Sequence, residues 1–225
     1  LAYTASKHPD LRRHLSVQAS ASNPEAIRFY QEEFDVKRVV LPRVLTLPEI
    51  SALNREIQVE SEVFVFGGLC VMAEGRCALS SYVTGQSPNT NGVCSPACAV
   101  RYEDEGDRLV SRLADFTINT FAPGEAAGYP TLCKGRFIAN GKTSYLFEDP
   151  VSLNAATMLQ DLAAAGVSGL KIEGRQRGKA YVAKVVTSFR RSIDSTHDSN
   201  VEVDDLISVT EGQRRTAGAY DKTWR

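Results

Sequence analysis

The chain has 225 residues, room for one domain of about 150 residues with a sizeable insertion. Hydrophobic residues make up 43% and charged residues 24%, a balance that excludes a disordered chain. Lys+Arg 26 against Asp+Glu 27 leaves a formal charge of −1, which argues against a strongly basic nucleic-acid module. The longest uncharged apolar run, Val63 to Ala73, is eleven residues, short of the roughly 18 that suggest a membrane span. No basic-then-apolar leader opens the chain and residue 1 is Leu1, so the expectation is a processed or truncated cytoplasmic protein.

Residues 14–20 alternate apolar Leu15, Val17 and Ala19 with polar Ser16, Gln18 and Ser20, the pattern of a half-buried strand. Asn23-Pro24-Glu25 supplies an N-cap, a proline at the first helical position and an acid in the first turn. Ile27, Tyr30 and Phe34 follow at helical spacing. Residues 38–43 form a second expected strand, and Thr46 with Glu49 makes a capping box for a helix carrying Ile50, Leu53 and Ile57. Residues 62–66 are the third strand. Strands near 14, 38 and 62 repeat every 24 residues, which implies strand–helix–strand units with parallel pairing.

From Gly67 to about Asn140 the chain is rich in Gly, Pro, Ser and Cys, with one charged stretch from Arg101 to Arg112. A strand is expected at 143–148 and a helix at 152–165, ended by Gly166. Residues 170–175 read as another strand. The helix after it would carry Val182, Val185, Val186, Phe189 and Ile193 on one face. The expected organisation is βα units at 1–66, a Cys-rich insertion at 67–140, closing βα units at 141–195 and a polar tail at 196–225. The fold class is α/β, a (β/α) barrel-like fold lacking its N-terminal strands, since a closed eight-stranded barrel needs about 250 residues.

Four of the five cysteines, Cys70, Cys77, Cys94 and Cys98, fall within 29 residues, and Cys133 follows. Six, sixteen and thirty-eight residues separate Cys70, Cys77, Cys94 and Cys133. An iron–sulfur cluster needs soft thiolates on an irregular backbone. A structural zinc site prefers pairs two to four residues apart, which only Cys94 and Cys98 provide. Spacing alone leaves metal ligation and buried free thiols both open. A cysteine nucleophile would need a base, and His8, His14 and His197 all lie far from the cysteines in sequence.

The segment Leu170–Arg175 alternates Leu170 and Ile172 with Lys171, Glu173 and Arg175. On a parallel strand flanked by helices the charged side faces the barrel interior or its mouth, where ligands bind. Gln18 and Arg43 are expected at comparable strand ends. Together these five residues form a candidate substrate pocket able to hold an anionic carboxylate. A Lys171–Glu173 salt bridge with no ligand is the structural alternative.

Glu62–Cys98, with Lys171–Gln176, resembles the collagenase-like peptidase superfamily of iron–sulfur proteins. Ser16–Ser20, Val39–Leu45, Ser87–Gly92, Gly128–Arg136 and Ala217–Tyr220 add to the likeness. Within the superfamily the chain is most similar to the U-subunit branch linked to oxygen-independent hydroxylation of ubiquinone precursors. That resemblance implies a barrel-like fold and a 4Fe-4S cluster on Cys70, Cys77, Cys94 and Cys133, with Cys98 spare. It also implies a heterodimer with a homologous V subunit, prephenate as oxygen donor and a lipid-carrier protein presenting the quinone precursor. Many peptidase-like and RNA-modifying relatives carry His where this chain has Phe66, a departure taken to favour the U-subunit branch. The alternatives are a tRNA or rRNA hydroxylation protein of the same superfamily, and a peptidase.

Overall fold

The computed structural model describes residues 1–70, 72, 76–175, 177–195 and 203–222. Gln176, His197 and residues 196–202 and 223–225 of the polar tail lie outside the described residues. The chain divides into two compact units, Leu1–Leu69 with Val151–Arg225, and Cys70–Pro150. Elements are numbered along the whole chain.

The first unit opens with α1 (Ala2–Lys7), β1 (Arg13–Leu15), α2 (Pro24–Phe34), β2 (Val36–Val40), α3 (Leu47–Glu56) and β3 (Glu60–Gly68). Local chemistry sets these boundaries. Asn23 caps α2 by accepting the Ala26 N–H at 2.8 Å, and Asp35, at φ 48°, ends it. The Thr46 N–H donates to Glu49 Oε2 at 2.7 Å while Glu49 N–H returns to Thr46 Oγ1 at 3.4 Å, closing the expected capping box of α3. β1 pairs with β2 and β2 with β3, both parallel, as the 24-residue repeat requires. After the second unit the chain returns as β9 (Ser152–Asn154), α6 (Leu159–Ala164), β10 (Gly169–Ile172), α7 (Lys179–Asp194) and β11 (Arg215–Thr216). β10 joins β3 in parallel along Glu62–Phe66, whereas β9 runs antiparallel to β3 at Phe66–Gly68 and carries β11.

The core of this unit collects Ile27, Val39, Ile50, Val63, Val65, Phe66, Leu162, Val185 and Phe189, all buried. Each such side chain contributes about 1.5–3 kcal/mol through its removal from water. The result is a mixed α/β unit with an open, largely parallel sheet; the described strands do not close into a barrel.

Several expected elements differ. The strand at 14–20 stops at Leu15, because Ser16 Oγ accepts the Gln18 N–H and Val17–Ala19 winds into a 3-10 turn ending at Ser20, φ 52°. Gln18 therefore sits in a turn rather than at a strand end. The helix expected over 152–165 begins only at Leu159. Leu153 and Ala155 are drawn into the core by pairing on β3, and Asn154 Oδ1 accepts the Ala156 N–H at 3.1 Å to start a 3-10 turn. On α7 only Val185 and Phe189 of the expected apolar face are buried, while Val182 and Val186 are exposed.

The second unit contains α4 (Ala78–Thr84), α5 (Pro88–Asn91), β4 (Val100–Glu105), β5 (Arg108–Leu113), β6 (Phe116–Phe121), β7 (Arg136–Ala139) and β8 (Lys142–Tyr145). β4, β5 and β6 form an antiparallel meander where the sequence reading saw only a charged stretch. Arg112 bridges Glu103 at 2.6 Å and Glu105 at 2.8 Å across the β4–β5 pair, so the charges are the strand's solvent face. The strand expected at 143–148 is β8, paired with β7 through a tight turn with Asn140 and Gly141 at φ 51° and 74°. Both central residues lie in the left-handed region, as a two-residue hairpin turn demands. No helix among the described residues is long and apolar enough to cross a membrane.

Candidate functional site

The five cysteines are reduced and all lie in the second unit. Cys77 is the N-cap of α4: its Sγ accepts the Ser80 N–H at 3.3 Å, and the Ser80 hydroxyl donates to the Cys94 carbonyl at 2.6 Å. This short relay ties the Cys77 turn to the Cys94 loop. Cys133 lies on the 3-10 turn Leu132–Lys134, and its carbonyl accepts the Glu148 N–H at 3.1 Å. Behind these turns a small core of Val83, Leu113 and Ile118 packs with Ala99, Val100 and Leu132. The apolar residues beside the cysteines thus anchor the loops that carry them. Cys70 and Cys98 are exposed, and the Cys70 thiol donates to the Met72 carbonyl at 3.4 Å.

Burial pushes the Cys94 thiol above its usual range, and the like-charge fields of Cys77 and Cys70 add to the rise. Burial likewise pushes Cys133 up to about 12, opposed by the Lys134 ammonium and reinforced by Cys94 and Glu148. Cys70, Cys77 and Cys133 therefore each act electrostatically on, or respond to, Cys94. Thiols raised in this way are poor nucleophiles, which opposes a cysteine-protease reading. Cys94 and Cys133 become thiolates readily only beside a compensating positive centre. No group of three or more His, Cys, Asp or Glu among the described residues is placed to hold one metal ion. The structure supplies electrostatic coupling of the four thiols, not a converged quartet.

The candidate pocket residues lie in the first unit. Arg43, in the turn after β2, stacks on the Phe64 ring with its guanidinium carbon 3.4 Å from the centroid, and Nη2 pairs with Glu173 Oε2 at 2.9 Å. Lys171 pairs with Glu62 at 3.0 Å, not with Glu173, and its Nζ lies 5.9 Å from the same ring. Arg43, Lys171 and Glu173 are thus brought together. Arg175 is exposed, and Gln18 is exposed in its turn; the structure gives neither a contact to this group. The sequence reading missed Glu62, Phe64 and Tyr220. Glu62 and Phe64 carry a period-2 signal on β3 that identifies them as face partners; Tyr220, whose hydroxyl donates to the Phe64 carbonyl, carries no periodic signal and enters only through the Ala217–Tyr220 likeness.

Phe66 is fully buried, with ring centroids 6.1 Å from Tyr181 and 5.9 Å from Phe189. It secures α7 to the sheet.

A cavity of about 430 Å³ lies at the opposite, N-terminal ends of β1–β3, lined by Asp10, Arg12, Asp35, Lys37 and Glu60 among others. Its charges are spent on ion pairs such as Arg12–Glu60 and Lys37–Asp35, and the functional ends of parallel sheets are the carboxyl ends.

The fold is that of a mixed α/β protein with a largely parallel sheet, and the five cysteines lie in its second unit. Over residues 1–219 the chain matches the peptidase family U32, and it belongs to that family. The resemblance to the collagenase-like peptidase superfamily is thereby borne out. The chain is 32% identical to the tRNA hydroxylation protein P of Escherichia coli (strain K12), aligned over 223 residues that cover 91% of this chain and 49% of that protein. It is 30% identical to the tRNA hydroxylation protein P1 of Bacillus subtilis (strain 168), over 83% of this chain and 38% of that protein. Against the 23S rRNA 5-hydroxycytidine C2501 synthase of Escherichia coli (strain K12) the identity is 27%, over 91% of this chain and 26% of that protein. The chain spans about half, or less, of the length of these relatives. No solved structure matches it.

Proposed function

We propose that this chain is part of an RNA hydroxylation protein in which Cys70, Cys77, Cys94 and Cys133 hold a 4Fe-4S cluster. The identity with tRNA hydroxylation protein P, spread over nine-tenths of the chain, carries the reading. The donor chemistry supports the cluster: Cys70 and Cys77 act on Cys94, Cys94 acts on Cys133, and the Cys77 sulfur already receives a backbone N–H. When bound, the cluster would supply one-electron transfer. The chain's own part is to hold it: the Ser80 N–H steadies the Cys77 sulfur, Lys134 favours the Cys133 thiolate, and the Val83–Leu113–Ile118 core fixes the turns.

The ubiquinone-precursor reading, with its V subunit, lipid-carrier protein and prephenate, has one observation on its side. The formal charge of −1 offers little electrostatic attraction for RNA. Deletion of the gene in its own host, followed by mass spectrometry of tRNA and rRNA nucleosides and of quinones from anaerobic cultures, separates the two. Loss of a hydroxylated nucleoside with normal quinone supports the RNA reading; intact nucleosides with quinone lost only under anaerobic growth overturns it.

A further inference from the structure

The formal charge of −1 is unevenly spread. Residues 174–193 hold six cations and no acid, so −1 less those six leaves −7 on the rest of the chain. We propose that Arg175, Lys179, Arg190 and Arg191, flanked by Arg214 and Arg215, form the surface that receives the sugar–phosphate backbone of an RNA strand. The proposal rests on the RNA reading and is independent of the cluster.

The basic stretch is the loop after β10 and helix α7. Lys179, Ala183, Val186 and Arg190 follow at i, i+4, i+7 and i+11, one stripe of the helix, and all four are exposed. From Lys179 to Arg190 the stripe runs about 17 Å at roughly 1.5 Å per residue, the reach of several consecutive phosphates. Val182 and Val186, the exposed valines of α7, lie along it and offer apolar contact to ribose. Among the described residues Arg175, Lys179 and Arg191 form no ion pair. Arg190 pairs with Asp194, but the two side chains are 60% and 63% exposed, so a phosphate can take the place of the carboxylate at little cost. Lys179 occupies the first helical position, and the first turn of α7 holds no acid. A cation there opposes the helix dipole, so this charge does not serve the helix. Arg177 pairs with Glu211 at 2.7 Å, and Lys184 Nζ donates to Ser208 Oγ at 3.1 Å. These contacts tie the segment that carries Arg214 and Arg215, both exposed, to the same loop and helix. Phosphate contacts fix the position of a strand without reading its sequence, so this surface docks the RNA and leaves the choice of nucleoside to other groups.

The test is filter retention of bulk host tRNA by the intact chain between about 50 and 200 mM salt. The triple variant Arg175→Gln, Lys179→Gln, Arg190→Gln removes three cations of the surface. Lys7→Gln, Arg28→Gln, Arg55→Gln removes three exposed cations from α1, α2 and α3 and matches it in net charge. The surface variant should bind about ten-fold more weakly or worse, with a log affinity against log salt slope shallower by about 2–3. The matched variant should stay within about two-fold of wild type. Lys179→Gln alone should not lower the melting temperature, since it relieves the helix dipole. If the triple variant fails to fold, as judged by circular dichroism, Lys179→Gln and Arg191→Gln are compared singly with Arg55→Gln, and only the first two should weaken binding. Equal losses by the two triple variants, or no loss by the surface variant, would overturn the proposal. Retention on phosphatidylglycerol vesicles without binding of tRNA would make the surface a membrane contact and overturn it as well. A deletion strain that lacks a hydroxylated nucleoside, beside a surface variant that binds tRNA normally, strikes this surface and leaves the RNA reading standing; intact nucleosides in that strain strike the reading itself.

Discussion

A Cβ at Gly67 would fall 2.6 Å from the Cβ of Glu173, and Gly67 itself sits at φ 132°. The glycine is where β3 lets the end of β10 come close enough for Glu173 to reach Arg43. Gly67→Ala should cost about 2 kcal/mol or more, from steric overlap added to a backbone conformation that alone costs about 1–3 kcal/mol. Gly166→Ala, also at positive φ but 3.5 Å from Asn54, should show only the backbone part, about 1–2 kcal/mol. Urea unfolding of the two variants compares them directly; equal losses would mean that the approach of Glu173 is not tight.

Cys→Ala changes at each of the five positions divide the thiols. After anaerobic purification, iron, sulfide and visible absorption should be lost at Cys70, Cys77, Cys94 and Cys133 and retained at Cys98. A retained chromophore in any of the first four variants, or its loss in Cys98→Ala, would redraw the ligand set.

Phe66→Ala should destabilise the protein by about 3–5 kcal/mol, the usual cost of emptying a core aromatic site. The smaller change Phe66→Leu should leave both the RNA and the quinone profiles of the host as they were. A shift in either profile by a stably folded Phe66→Leu would give this position a role in substrate choice that its burial does not suggest.

The α3 capping box is sensitive to acid. The Thr46 N–H and hydroxyl donate to the Glu49 carboxylate and hold it below the usual 4.5. Because the folded value is the lower one, the stabilisation is complete above pH 4.5 and is lost as pH falls through the folded value. Glu49→Gln keeps a hydrogen-bond acceptor but cannot titrate, so its stability should vary less below pH 4.5 than that of the wild type. Thr46→Ala should cost about 1 kcal/mol at neutral pH. Denaturant midpoints across pH 3–6 check both.

Elements fixed by neighbouring residues were legible in the sequence. Asn23-Pro24 and Thr46–Glu49 announce their helices because caps are local hydrogen bonds, and the even spacing of β1, β2 and β3 announces parallel pairing. Elements fixed by distant partners were not. Leu153 and Ala156 fit a helical face with Leu159 and Leu162, and only pairing with Phe66–Gly68 makes 152–154 a strand. The meander was hidden because Arg101, Glu103 and Arg112 read as a solvated run until their cross-strand pairing is known. At the polar strand ends, Lys171 and Glu173 were visible, but their partners Glu62 and Arg43 lie 109 and 130 residues away. The cysteine spacing left metal ligation and free thiols both open, and the fields that link the thiols to Cys94 depend on the folded loops.

The hydroxyl of Tyr220 donates to the carbonyl of Phe64 across 156 residues, and the Tyr220 carbonyl accepts the Leu47 N–H at 3.1 Å. On the ribosome, β3 emerges long before the tyrosine that fastens it. The early strands wait, with Phe64 and its neighbours partly wet, until translation has passed residue 220. Stalling or clipping just ahead of residue 220 should therefore leave a nascent product prone to aggregation and capture by chaperones.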